Sequence, residues 1–194
     1  AAAMRVVHIV PTIASEAAGP SYTVPRLCES LIKVGLDVSL AALDGASASE
    51  RPPYFRTFPC IRGLGRVGVS PAMRRWLEAE AASGRVAVMH SHSLWMMPTV
   101  YPGLVCRAGR PQLVTSPRGT LAVWSLRRSA ARKRVFWWLY QRRALRATAC
   151  FHATAESEYE DIRRLGFTQP ICILPNGIDV PPLLRPESGG RRQL

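Results

Sequence analysis

Short aliphatic and β-branched runs alternate along the chain with longer stretches in which apolar residues recur every three or four positions. The short runs are RVVHIV (5–10), DVSLAAL (37–43), a weak one near 58–61, and then VAVMHSH, QLVTS, ACFHAT and ICIL. Each predicts a strand. The helical period predicts helices over 21–34, closed by Gly35, over 71–83, near 95–108, over 121–147 and over 156–165. Ser70 and Pro71 supply an N-cap and a first helical residue for the second of these. Near-continuous apolar strands alternating with helices are the pattern of a parallel sheet covered on both faces, and right-handed crossovers make it doubly wound. The expected class is therefore α/β, a Rossmann-like parallel sheet of about seven strands. In the common strand order 3-2-1-4-5 the winding reverses between strands 1 and 4, and ligands bind at the carboxyl ends of the strands flanking that point. The loops after Val10 and after His90 should then face one another across a site.

Composition narrows the class without naming a reaction. A chain of 194 residues, 47% hydrophobic and 20% charged, suits one globular domain with a substantial core. No apolar run approaches the roughly 20 residues that span a bilayer, and no signal-peptide pattern opens the chain, so a cytoplasmic protein is expected. Five cysteines stand singly, with no Cys-x-x-Cys, which favours reduced thiols over disulfides or structural zinc. Charge is unevenly placed: residues 61–150 hold 16 Lys and Arg against Glu78 and Glu80 alone, so this stretch carries the whole net charge of +13. Phosphate-bearing partners suit such a surface, whether nucleic acid, anionic lipid or a phosphorylated substrate.

Candidate chemistry gathers at the predicted carboxyl ends of the strands. After strand 1, Gly19 and Pro20 precede Ser21, the expected cap of the first helix, whose free N–H groups could receive a phosphate or a sugar hydroxyl. His90 and His92 in MHSHSLW point to the same side of strand 4 and suit hydrogen bonding to a substrate hydroxyl or general-base help, with a satisfied structural histidine as the alternative. Zinc would need more ligands than are visible. Arg118, between Pro117 and Gly119 after strand 5, suits a phosphate or carboxylate clamp, with pairing to Glu156 or Glu158 as its structural alternative. Trp95, Ser116 and Glu156, at the ends of strands 4, 5 and 6, complete the candidate substrate contacts. Gly63, Gly65 and Gly68 spell a G-x-G-x-x-G, but it follows the third strand and the helix begins only after the third glycine, so a loop reading is preferred to a dinucleotide site.

The helix expected over 121–147 has two apolar stripes. Ala131, Val135, Trp138, Leu139 and Leu145 suit contact with the sheet. Phe136, Trp137, Tyr140 and Ala144 lie opposite them, and Phe136, Trp137 and Tyr140 with Lys133 and Arg143 make a candidate membrane surface; burial on both sides is the rival.

The order of motifs resembles the N-terminal domain of retaining glycosyltransferases of family 4, which have the two-domain GT-B fold. The resemblance runs through MRVVHIVPTI…AGPSYTV, MHSHSLW, SPRGTL, the basic helix, ATAESEYEDIRRLG and LPNGID, and so covers nearly the whole chain. It implies an acceptor-binding domain over 1–175 and a linker over 176–194, with a second, donor-binding domain absent. It also implies a nucleotide-sugar donor handled as substrate, no cofactor and no metal, and a glycan or lipid-linked acceptor. Gly19 would approach the donor phosphates, and His92 and Arg118 would line the cleft as the catalytic candidates. Many members carry a cleft histidine after strand 5, where this chain has Pro117 and Arg118, so that role would pass to His92 or Arg118. The expected location is cytoplasmic, and the basic, aromatic helix suggests peripheral attachment to the cytoplasmic face of the inner membrane. A stand-alone nucleotide-binding domain or a basic nucleic-acid-binding module remains the alternative.

Overall fold

A computed structural model describes residues 4–13, 19–44, 52–106 and 111–177. Seven strands form one parallel sheet: β1 (Arg5–Ile9), β2 (Asp37–Leu43), β3 (Phe55–Phe58), β4 (Val86–His92), β5 (Gln112–Ser116), β6 (Cys150–Ala153) and β7 (Ile171–Ile173). Their order is β3-β2-β1-β4-β5-β6-β7, so the winding reverses between β1 and β4 as expected. The third strand sits about three residues earlier than its pattern suggested.

Helix α1 (Gly19–Lys33) covers one face of the sheet, where Val24 and Cys28 pack on Val10, Val38, Leu40 and Ala42. Helices α2 (Pro71–Ala82) and α3 (Tyr101–Val105) cover the other, burying Met73, Leu77 and Tyr101 against Val7, Ile9, Leu43 and Met89. The cap of α2 is the one expected: Ser70 accepts a hydrogen bond from the Met73 N–H, and Pro71 opens the helix. Helix α1 already includes Gly19, two residues before its expected cap. Ser21 is buried in its first turn, and its hydroxyl faces the Thr12 carbonyl oxygen at 3.5 Å.

The long helix expected over 121–147 is divided into α4 (Val123–Arg127), α5 (Ala130–Phe136), a π-helical turn (Trp137–Gln141) and α6 (Arg142–Leu145). Arg128 is extended and Ser129 left-handed, which separates α4 from α5. The expected facing is inverted for most of the segment, although Leu145 is buried and Tyr140 exposed as expected. Val135, Trp138 and Leu139 point to solvent, whereas Phe136, Ala144 and Leu145 are buried and Trp137 is half-buried. Two comparable apolar stripes fix the helical period but not the inward side, and the wide π turn carries Gln141 inward. The segment expected to be helical near 95–108 contains Pro98 and Pro102, and forms a 3-10 turn (Met97–Thr99) followed by the short α3. The last element, α7 (Glu156–Arg164), lies over β6, burying Ile162 against Phe151 and Ala153.

Two glycines are required by packing. Gly68 has φ +71°, and a Cβ there would press on Leu43 and Met96, so the third glycine of the G-x-G-x-x-G run serves close contact with the core before α2 begins. Gly103 lets α3 meet α6 backbone to backbone, since a Cβ would collide with the carbonyl group of Ala144. Gly103→Ala should therefore cost about 1–3 kcal/mol, the range for overpacking in a core. A denaturant titration at neutral pH checks this, with Gly65→Ala as the control, where a Cβ meets nothing within 4 Å and φ is not positive.

Candidate functional site

All four histidines of the chain come together on one face of the sheet. His8 on β1 pairs in register with His90 on β4, and His92 follows two residues later on the same side. The His90 and His92 ring centroids are 4.0 Å apart, and those of His90 and His152, from β6, are 5.4 Å apart. Sequence reading missed His8 and His152, whose grouping with the other two depends on strand register.

Arg118 supplies the charge. Its guanidinium lies 3.3 Å from Nδ1 of His92, whose Nε2 lies 3.0 Å from Nδ1 of His8. A guanidinium only donates, so Nδ1 of His92 accepts and its Nε2 carries the proton. That proton is donated to Nδ1 of His8, leaving Nε2–H of His8 buried without a partner. Nε2 of His90, Oγ of Ser116 and Nε of Arg118 are likewise buried and unpartnered among the described residues. His92 is fully buried, with both ring nitrogens engaged inside the protein. Arg118 is partly exposed and also donates to the side chain of Asn176, in the Leu-Pro-Asn-Gly turn after β7.

The turn after β5 is held in an unfavourable backbone conformation. Arg118 has φ +55°, and Ser93 and Trp95 after β4 have φ +69° and +74°. Non-glycine residues in this region cost on the order of 1–3 kcal/mol each and persist where their surroundings over-determine them. At Arg118 the restraint is Glu158, a buried carboxylate that accepts from the Gly119 N–H and from the N–H and hydroxyl of Thr154, the latter two at 2.6 and 2.8 Å. At Trp95 it is Gln141, whose side-chain oxygen accepts the Trp95 N–H at 3.1 Å, while the indole N–H donates to the Thr120 carbonyl at 3.1 Å. Gln141 gave no functional signal in the sequence beyond being a lone amide in an apolar helix.

The other candidates divide. Ser116 is buried beside His92 in register, and His90 is half-buried within the cluster. Gly19 and Pro20 open α1 at the carboxyl edge of β1; residues 14–18, which complete that loop, lie outside the described residues. Glu156 is exposed in the first turn of α7, and neither it nor Glu158 forms an ion pair with Arg118. Trp95 spends its N–H groups within the protein. Of the candidate membrane residues, Phe136 is buried, Trp137 and Lys133 are half-buried, and only Tyr140 and Arg143 are exposed. A cavity of about 230 Å³ lies behind Trp95, among Leu126, Ala130, Lys133 and Trp137, and none of the histidines lines it.

His8, His90 and His92 bring ring nitrogens within 4.8 Å of one another, close enough to share a borderline cation after small shifts. The group contains no carboxylate, and the Arg118 guanidinium already occupies Nδ1 of His92, so a dication there would face an uncompensated positive charge. Burial and the nearby Arg118 lower the affinity of these imidazoles for protons. His8 falls from 6.5 to about 4, His90 and His92 fall well below 6.5, and His152 is lowered mainly by burial. The unfolded chain takes up protons near pH 6.5 while the folded protein does not, so stability is complete above about pH 6.5 and is lost as pH falls below it. Each histidine contributes a slope of at most about 1.4 kcal/mol per pH unit. Denaturation midpoints should fall steadily from about pH 7 to pH 5, and a flat profile would contradict neutral, buried imidazoles.

The fold has counterparts among known proteins. The profile of Glycosyltransferase Family 4 matches residues 18–181. No curated protein sequence matches. Among solved structures, sucrose-phosphate synthase from Thermosynechococcus elongatus superposes with a TM-score of 0.56 at 16% identity, over 91% of this chain and 49% of that one. A putative UDP-N-acetylglucosamine 2-epimerase from Listeria monocytogenes gives 0.61 at 12% identity, over 88% and 44%. A second sucrose-phosphate synthase chain from the same organism gives 0.51 at 17% identity, over 90% of each. The chain thus spans about half the length of the first two structures. The likeness to these structures is one of fold, and the profile match over most of the sequence decides the family: this chain belongs to glycosyltransferase family 4.

Proposed function

We propose that this chain is the acceptor-binding domain of a retaining glycosyltransferase of the hexosyltransferase type, which moves a sugar from a nucleotide-sugar to a polysaccharide or lipid-linked glycan in the cytoplasm. Residues 1–175 form that domain, 176–194 lead out of it, and the groups that hold the nucleotide lie in a second domain. The observation that carries the reading is Arg118, a guanidinium set at the carboxyl end of β5 beside the point where the winding reverses. A fixed cation at that place stabilises negative charge that develops on a departing phosphate or an incoming acceptor oxygen.

In this reading Arg118 is the catalytic contact. His92, buried behind it, is a positioning residue: its Nδ1 lone pair fixes the guanidinium plane and its proton is committed to His8. Glu158 holds the same turn through Gly119. Gly19, Pro20 and Ser21 offer the amino end of α1, a 15-residue helix, to the donor phosphates. His90, Ser116 and Glu156 serve the acceptor. Arg118 and the start of α1 meet the leaving-group charge, and the reaction uses no metal ion and no cofactor.

In the complete enzyme, Arg118→Ala should lower the rate of sugar transfer by more than about tenfold while the fold stays intact by circular dichroism. His92→Gln should lower kcat with little effect on KM for the donor, as expected of a group that orients Arg118 without touching substrate. Steady-state transfer assays with circular dichroism of each variant check both statements. Near-normal turnover of Arg118→Ala would remove the basis of this reading.

A further inference from the structure

The segment from α4 to α6 carries a surface that the candidate site does not use. Trp124 is 70% exposed and Trp138 65%, and Val123, Val135, Leu139 and Tyr140 are exposed with them. A single exposed apolar residue is ordinary, but six large ones within residues 123–140 are a feature that marks a contact surface. Val135, Trp138 and Leu139 form the outward stripe of α5 and the π-helical turn, and Trp124 stands on α4, which packs against α5. Arg127, Arg128, Arg132, Arg134, Arg143 and Arg146 are exposed along the same segment, and the Arg142 guanidinium lies 5.1 Å from the centre of the Trp138 ring. No acidic residue occurs anywhere between Glu80 and Glu156.

A partner for this face must remove aliphatic and indole groups from water and present negative charge around them. Nucleic acid offers phosphates and base faces for stacking, but gives Val135 and Leu139 nothing apolar to enter. An anionic bilayer offers both in layers, with an apolar region below a plane of phosphates. Indoles settle at the headgroup level, and long arginine side chains reach the phosphates while their stems stay in the apolar boundary. We infer that this face seats on an anionic phospholipid bilayer, with Trp124, Val135, Trp138 and Leu139 entering the boundary between headgroups and acyl chains and arginines of the same segment meeting lipid phosphates. The surface differs from the one expected from sequence, since Phe136 and Trp137 face inward, and Val135, Trp138 and Leu139 of the stripe assigned to the sheet face outward. The inference stands on this surface alone and needs no assumption about the reaction, although it would bring a lipid-linked acceptor to the same enzyme.

The test uses the full chain and vesicles of phosphatidylcholine with and without about 30% phosphatidylglycerol, sedimented at low and high salt. Binding should be at least tenfold stronger to the anionic vesicles, should persist in part at high salt, and should be accompanied by quenching of tryptophan fluorescence when the acyl chains are brominated. Trp124→Ser, Trp138→Ser and Leu139→Ser in one variant should weaken binding at least tenfold with unchanged circular dichroism and thermal midpoint, because these side chains contribute little to the core. Lys33→Gln with Arg56→Gln, which removes two exposed charges on α1 and on the edge strand β3, should change binding less than about twofold. Unchanged binding by the triple variant, or absence of quenching, would show adsorption by net charge alone and overturn the inference. So would a homodimer that the triple variant dissociates, or preferential binding to oligonucleotides through the same three side chains.

Discussion

A line of hydrogen bonds from Arg118 through His92 to His8 crosses β5, β4 and β1, and the geometry of the candidate site depends on it. The line has one consistent proton arrangement. Because the guanidinium only donates, His92 must be neutral with its free lone pair toward Arg118, and His8 must accept in turn. A proton added to Nδ1 of His92 would place two donors face to face. Burial keeps the imidazoles neutral and so serves the arrangement of the arginine, which is the one group of the five to retain a charge at neutral pH.

Around this line the protein restrains two loops in conformations they would not adopt alone. The left-handed backbone at Arg118 is tied by Glu158 to the start of α7, and that at Trp95 by Gln141 to the π-helical turn. Both restraints are buried polar groups that bond to main-chain N–H groups, so the loops are fixed to the scaffold by interactions worth more in a dry interior than at the surface. The opposite edge of the sheet is built differently. There Arg5 bridges Asp37 and Glu80 at 2.8 and 3.0 Å, closing the amino ends of β1 and β2 against α2 with a satisfied charge cluster. At the amino edge the arginine is paired with two acids, whereas at the carboxyl edge Arg118 donates to His92 and Asn176 and forms no ion pair among the described residues.

The same contrast extends to the segment from α4 to α6. Its inner side, with Phe136, Gln141, Ala144 and Leu145, supports the loop after β4, while its outer side keeps a stripe of indole and aliphatic groups among arginines. The break at Ser129 and the π-helical turn allow one short stretch of chain to serve both surfaces, since each rotates the helix face relative to a regular 3.6-residue repeat. The buried contact of Gly103 with α6 holds this arrangement against the sheet.

Sequence alone determined the features set by local period and by chain direction. Apolar runs and turn residues marked seven strands and their alternation with helices, because buried strands and crossover helices differ in period and length, and the common order of such parallel sheets then gave the point where the winding reverses. The cap of α2 and the placing of Arg118 after β5 were legible for the same reason. Tertiary structure decided the features that depend on register and facing. His8 and His152 join His90 and His92 only through strand pairing, Glu158 and Gln141 act on loops 39 and 46 residues away, and two equally apolar stripes cannot announce which one meets the core. Those outcomes rest on which buried polar group finds a partner, and partners distant along the chain leave no trace in the local pattern.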